Sequence, residues 1–504
     1  MRSPLRPLMF VGTASDVGKS VLTAGFCRIL VQDGWRPAPF KAQNMSLNSY
    51  VTPEGLEIGR AQAVQAEAAG IPCHSEMNPV LLKPTGDSHA QLVLHGRPAG
   101  NQSAYEYFMG RDREALWAEV KGAYDRLSRR FNPIVLEGAG SISELNLRPR
   151  DITNMRMALH AGADVYLIAD IDRGGVFASV YGTLELLPPE EKALVRGVII
   201  NKFRGDARLF VDGRRQLEAL TGVPIVGVLP YYRDIHIEEE DSVVLRHKHA
   251  AHKPGSVNVA ILRLPHLSNF TDFASLERAS GLHVYYTDDP EELAHAAVIV
   301  LPGTKNTIGD LLVMRELGAD KAVIAAAAAG VTVIGICGGY QLMGLTIADP
   351  YGVEGEAQTV SGLGLLPVHT VLSREKTTVR RRFRFGETDG PLCEGYEIHM
   401  GQTVTEGGDA QGASGPTGAA GLTGARPVNF PVQAGEAPDG YRLSAHCWGT
   451  YIHGILDNQA VVKQLLGVDI PDYRAFKERQ YDRLAEHIRA NLDLEFIYSN
   501  LRQL

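Results

Sequence analysis

The chain has 504 residues, with 50 Lys and Arg against 58 Asp and Glu and a formal charge of −8. That length exceeds what one hydrophobic core supports and excludes a small binding module, and the charge argues against non-specific binding to nucleic acid. A negatively charged substrate would have to be met by basic residues gathered locally.

The first ten residues are basic, but their apolar run is too short for a secretory signal. Leu8–Val11, Ile134–Leu136, Val165–Ala169, Val195–Ile200 and Ile225–Val228 are short β-branched runs, each followed by a loop and a stretch of helical period. This alternation predicts an α/β domain over residues 1–245, built on a parallel, doubly wound sheet.

After the first run comes Gly12-Thr-Ala-Ser-Asp-Val-Gly-Lys-Ser20. A phosphate-binding loop needs glycines so that backbone N–H groups converge, a lysine for the β/γ-phosphates and a hydroxyl for Mg²⁺. Gly12, Thr13, Gly18, Lys19 and Ser20 supply these, at a spacing one residue longer than the usual pattern; the alternative is a glycine turn that caps a helix. Glu137 ends a strand before Gly138-Ala-Gly140, at the sheet edge where such folds bind ligands, and is assigned with Ser20 to Mg²⁺. Asn201 follows another strand and would set an amide against the nucleotide. Asp170, Asp172 and Arg173 follow a third, where they could bind metal, position substrate or cap a helix. Lys41, Arg173, Lys202 and Arg204 are the basic candidates for an anionic substrate.

The polar, basic segment 246–256 reads as a linker to a second domain, residues 257–504. Strands are expected at Val257–Leu262, Ala297–Leu301, Val331–Ile336, Tyr396–His399 and Trp448–His453, a second α/β sheet. Ala322–Cys337 is too short and too broken, at Gly330, to span a membrane. Residues from about 405 to 427 are rich in Gly, Ala, Ser and Thr and read as a flexible insertion, and the tail after Pro471 as helical. The cysteines, Cys27, Cys73, Cys337, Cys393 and Cys447, lack Cys-x-x-Cys spacing, which fits a reducing cytoplasm.

Cys337 stands between an apolar strand and a glycine turn, and His453 lies far downstream in Tyr451-Ile-His-Gly454. A sharp strand-to-helix turn lifts a thiol from the core beside backbone N–H groups able to hold an oxyanion, so acyl chemistry is expected.

Gly335-Ile-Cys-Gly-Gly-Tyr-Gln341 and Tyr451-Ile-His-Gly-Ile455 resemble the nucleophile and histidine segments of class I glutamine amidotransferases. Lys41-Ala-Gln-Asn-Met-Ser-Leu-Asn-Ser49, Asp170-Ile-Asp-Arg-Gly-Gly-Val-Phe177, Leu301-Pro-Gly-Thr-Lys-Asn-Thr307 and Gly395-Tyr-Glu-Ile-His-Met-Gly401 resemble the cobyric acid synthase family across nearly the whole chain. The N-terminal half is also similar to dethiobiotin synthetase, whose phosphate loop has the same longer spacing.

The resemblance implies glutamine-dependent amidation of corrinoid carboxylates with ATP and Mg²⁺. Cys337 would be the nucleophile and His453 its proton carrier, with an oxyanion hole from the N–H groups of Gly303 and Gly338. It implies small-molecule partners, corrinoid, glutamine and ATP, and neither nucleic acid nor membrane insertion. Ile455 stands where most class I members carry a glutamate that orients the histidine; Asp457 is a possible substitute, or a turn cap. Glu397 and His399 alternate on a strand facing either the cleft or solvent. Two other readings stay open: a sibling such as cobyrinic acid a,c-diamide synthase or a cell-wall amidotransferase, and a non-enzymatic scaffold. The intact Cys337, His453, Lys19 and Ser20 weigh against the last.

Overall fold

Two six-stranded sheets organise the chain in the computed structural model, which describes residues 3–85, 89–103, 107, 110, 113–238, 240, 245, 248–405, 427–433 and 435–502. The segment read as a flexible insertion lies mostly outside the described residues, as do parts of the segment read as a linker.

The first sheet runs in the order Ile225–Pro230, Val195–Phe203, Asp164–Asp170, Leu8–Gly12, Ile134–Glu137, Ala38–Phe40, with every pairing parallel. All five expected runs are strands of it. The sixth, Ala38-Pro-Phe40, is three residues long and contains a proline, so it carried no readable alternation. Leu8–Gly12 is fully buried, as expected of a central parallel strand, and the strand order departs from it in both directions. Its C-terminal end is therefore the topological switch point, where open α/β sheets bind ligands. The helix Lys19–Gln32 starts there.

The second sheet runs Leu282–Thr287, Val257–Leu262, Val298–Leu301, Thr332–Ile336, Cys447–Thr450, with Tyr441–Ser444 antiparallel at its edge. The break expected at Gly330 is present: the helix Ala319–Ala328 ends before it and the strand Thr332–Ile336 follows. Gly330 adopts φ 87°, a left-handed conformation that glycine enters without strain.

Two features join the halves. The long antiparallel hairpin Val368–Phe385 and Leu392–Thr405 reaches the N-terminal half, where Arg380 Nε donates to Val51 O at 2.9 Å and Tyr396 packs against Tyr50 with ring centroids 4.8 Å apart. The helix Tyr473–Asn491 crosses back onto Lys19–Gln32, so close that a Cβ on Gly25 would lie 2.2 Å from Ile488 Cδ1. Residues 248–253 lie against the second half through Lys248–Glu277 and His252–Glu292 ion pairs of 2.5 and 2.8 Å. Among the described residues no helix is long and apolar enough to cross a membrane.

Candidate active sites

The loop Gly12–Ser20 wraps the start of its helix. Gly18 caps that helix with φ 101°, and a Cβ there would lie 2.2 Å from Asn201 Nδ2, so only glycine fits. Asn201 braces the loop from its own strand end by donating to Val17 O at 2.7 Å. Thr13 N–H donates to Ile168 O at 3.0 Å, tying the loop to the neighbouring strand. Lys19 Nζ donates to Ala14 O and Gly140 O, both at 2.9 Å, and so spans the loop mouth. Burial, with Lys41 nearby, pulls its ammonium down to about 8, and an incoming phosphate would reverse that pull.

Glu137 is 1% exposed and ends the strand Ile134–Glu137. Ser20 Oγ donates to its Oε1 at 2.7 Å, Lys41 Nζ to the same oxygen at 2.9 Å, and Gln65 Nε2 to Oε2 at 2.7 Å. Burial alone would raise this carboxyl, but Lys41 and these hydrogen bonds hold it below its ordinary value, so it stays charged. A hydroxyl and a carboxylate beside a phosphate loop are hard oxygen donors of the kind Mg²⁺ takes while keeping water and phosphate as its other ligands. Lys41, a candidate substrate cation, lines the same cavity and is buried against Glu137 as a partner of that carboxylate.

The remaining predicted residues form the rim. Asp170 accepts from Asp172 N–H at 2.8 Å and lies 3.1 Å from Lys202 Nζ. Asp172 pairs with Arg204 at 2.6 Å, and Arg204 stacks 3.7 Å above the Tyr231 ring. Arg173 reaches Asp16 at 3.2 Å while most of its side chain stays exposed. A cavity of about 1410 Å³ joins loop, Glu137 and rim, and extends to Pro265 and His266 of the second half.

The thiol site lies on the other sheet. Cys337 follows the strand Thr332–Ile336 and caps the helix Gly338–Leu342 with φ 52° and ψ −110°, a strained turn for a non-glycine residue. The turn is possible because Gly339 has no side chain: a Cβ there would lie 1.9 Å from Leu301 O. Gly338 opens the helix, whose first-turn N–H groups have no intrahelical acceptor. Gly303 comes alongside, with its Cβ position 3.0 Å from His453 Cε1. The structure thus brings Cys337, Gly338, Gly303 and His453 together.

His453 is not oriented by Asp457. Its Nδ1 lies 2.7 Å from Asp272 Oδ2, and Gly454 N–H donates to Asp272 Oδ1 at 3.0 Å. Asp457 is half-buried with its Oδ1 unpartnered, and desolvation together with Glu238 pushes its carboxyl up to about 7. Burial opposes charge on His453, but Asp272 and the Cys337 sulfur outweigh it and hold the imidazole up to about 10. Tyr396 stacks on the ring with centroids 5.4 Å apart, and Asn269 Nδ2 is 3.3 Å from Nε2. The site is closed: Cys337 is 7% and His453 1% exposed, with Sγ 3.6 Å from Ile398 O. The elbow was expected to raise the thiol from the core, yet the hairpin strand Leu392–Thr405 covers it. Glu397 and His399 on that strand bond to each other at 3.0 Å, and His399 stacks on Tyr451 with centroids 3.8 Å apart.

Asp272 and Asn269 escaped sequence reasoning because they sit in a short 3₁₀ turn, Phe270–Phe273, and its preceding residue, far from the cysteine and histidine in sequence. The polar residues inside Ser268-Asn-Phe-Thr-Asp-Phe273, all buried, were the available signal.

A CobQ/CobB/MinD/ParA nucleotide binding domain model matches residues 8–243, and a CobB/CobQ-like glutamine amidotransferase domain model matches residues 258–461. The chain is 56% identical to a cobyric acid synthase of Bacteroides fragilis over 99% of each protein. It is 56% identical to one of Phocaeicola vulgatus, also over 99% of each. To one of Parabacteroides distasonis it is 55% identical over 100% of each. With both domain models in order and relatives matched end to end, the chain belongs to the cobyric acid synthase family.

Proposed function

We propose that the chain uses ATP and glutamine to amidate four peripheral carboxylates (b, d, e and g) of adenosylcobyrinic acid a,c-diamide, giving adenosylcobyric acid. The observation that carries this reading is the pairing, in one chain similar end to end to cobyric acid synthases, of a thiol–imidazole–carboxylate site with a phosphate loop.

At the thiol site, Cys337 Sγ adds to the carboxamide carbon of glutamine, and the oxyanion is met by the N–H groups of Gly338 and Gly303. His453, oriented by Asp272, takes the thiol proton and passes it to the leaving ammonia. The γ-glutamyl thioester is then hydrolysed to glutamate.

At the other site a substrate carboxylate displaces ADP from the γ-phosphorus of ATP to give an acyl phosphate. Ammonia adds to that acyl carbon and phosphate leaves. Phosphorylation is required because hydroxide is too poor a leaving group for ammonia to react with the free acid. Gly12, Thr13, Gly18 and Lys19 hold the phosphates, and Asn201 keeps the loop in shape. Ser20 and Glu137 would hold Mg²⁺, which neutralises charge on the phosphates. Arg173, Asp170 and Asp172 line the cavity where the corrinoid carboxylates would approach. The free cysteines suit action in the cytoplasm.

The test is the mass of the product formed from corrinoid diamide, ATP-Mg²⁺ and glutamine. Four added amides are expected; none, with two added instead to cobyrinic acid under the same conditions, would indicate a diamide synthase, and none with either substrate a binding protein.

A further inference from the structure

Two chain segments leave the Glu137 carboxylate and line the nucleotide cavity. One runs from Lys41, bonded to that carboxylate at 2.9 Å, into the strand Gln43–Met45. The other runs from Glu137 itself through Gly140, whose carbonyl holds Lys19, to the turn Arg148–Arg150. Arg113 straps the two together: its Nε donates to Arg150 O at 2.7 Å and its Nη2 to Gln43 Oε1 at 3.3 Å.

These segments carry apolar side chains for which a phosphate and a metal ion have no use. Met45, ending the strand, is 56% exposed, and Leu147, just before the turn, 40%, and both line the cavity. Apolar groups left open inside a ligand cavity mark surface that a ligand covers. The cavity of about 1410 Å³ also exceeds the roughly 300–1,000 Å³ usual for one small ligand, so a nucleotide leaves room for a second.

The neighbouring charges show what that second ligand carries. Arg148 pairs with Glu191, Arg156 with Glu114, Arg173 with Asp16 and Arg204 with Asp172. Arg150 lines the same cavity, and among the described residues its guanidinium has neither an ion pair nor a hydrogen bond. Because Arg113 holds its backbone, this cation sits on an anchored turn. A broad apolar body with carboxylates at its edge fits the combination, whereas a simple polyanion leaves Met45 and Leu147 uncovered.

We propose that Met45 and Leu147 form the ledge on which a face of the corrin ring rests, and that Arg150 holds a peripheral carboxylate other than the one being amidated. The proposal rests on the corrinoid reading given above. While several carboxylates remain, one reacts and another pairs with Arg150. Once all but one are amides, the last carboxylate has to meet the phosphoryl donor, and Arg150 has no anion to hold. Arg150 therefore serves the early amidations and not the final one, while the ledge serves them all.

The test measures corrinoid KM and kcat of the full-length protein with ATP-Mg²⁺ and ammonium chloride, which takes the thiol site out of the measurement. Two substrates are compared, the diamide and the intermediate with one carboxylate left, isolated from a stopped wild-type reaction. Arg150→Gln is expected to raise KM for the diamide about tenfold or more, the worth of one charge-assisted hydrogen bond, and to leave the final amidation unchanged. Met45→Gln and Leu147→Asn keep side-chain size but are polar, and each is expected to raise KM about fivefold for both substrates. Met45→Leu, which keeps the apolar surface, should behave as wild type. The Tm gain from ATP-Mg²⁺ alone should be retained in every variant and reports folding; should Met45→Gln or Leu147→Asn lose it, the other decides. An unchanged diamide KM in Arg150→Gln, or an equal rise for both substrates, would overturn the carboxylate contact. An unchanged KM in both polar ledge variants would overturn the ledge. Wild type that amidates neither corrinoid would count instead against the function proposed above.

Discussion

His453 Nδ1 and Asp272 Oδ2 are 2.7 Å apart although 181 residues separate them in sequence. This contact supplies the orienting carboxylate that the position two residues after the histidine, Ile455, does not. The Asp272→Asn variant can offer its amide N–H to Nδ1, which forces the proton onto Nε2 and removes the base from the thiol. Glutamine-dependent activity is expected to fall about 10²- to 10⁴-fold, while ammonium-dependent amidation persists. Steady-state rates with the two nitrogen sources check this.

The raised value of His453 gives a pH signature. Its folded value of about 10 lies above its ordinary 6.5, so the stabilisation from charging it is complete below about 6.5 and is lost as pH rises through about 10. The His453→Gln variant lacks that contribution. The Tm gap between wild type and variant should therefore be widest near pH 6 and shrink steadily toward pH 10, as read by thermal denaturation.

Glu137→Gln keeps the shape of the side chain that meets Ser20, Lys41 and Gln65 but removes its charge. Amidation is expected to drop at least about 10²-fold with either nitrogen source, because ammonia from any origin needs an activated carboxylate. A raised requirement for Mg²⁺ in a titration would accompany it.

Glu57 is buried between Lys83, at 2.7 Å, and Lys376 of the long hairpin. Burial already pulls Lys376 down to about 7. Glu57→Gln takes the carboxylate away from both buried lysines at the contact between halves, so that charge there is either uncompensated or given up, a loss of about 3–5 kcal/mol. A clear fall in Tm is expected, and a Lys376→Met second change should recover part of it.

The parallel sheets, the phosphate loop and the cysteine elbow were legible because each is written in contiguous residues: a β-branched run, a glycine turn, then a helix. Glu137, Asp170 and Asn201 could be placed for the same reason, since a residue at the C-terminal end of a parallel strand must lie at the binding edge. Asp272 and Asn269 were not legible, because their role comes from a short turn folded under a distant histidine. Lys41 was readable as a cation but not as the partner of Glu137, a contact created only when strands Ala38–Phe40 and Ile134–Glu137 pair. The closure over Cys337 was equally hidden, since it depends on the register of the hairpin that sets Ile398 O against the sulfur.

The central claim is that one site frees ammonia and the other spends it. It is tested most directly with Cys337→Ala, assayed for corrinoid amidation with ATP-Mg²⁺ and either glutamine or ammonium chloride. Amidation with ammonium and none with glutamine is the predicted result. Undiminished amidation with glutamine would contradict it.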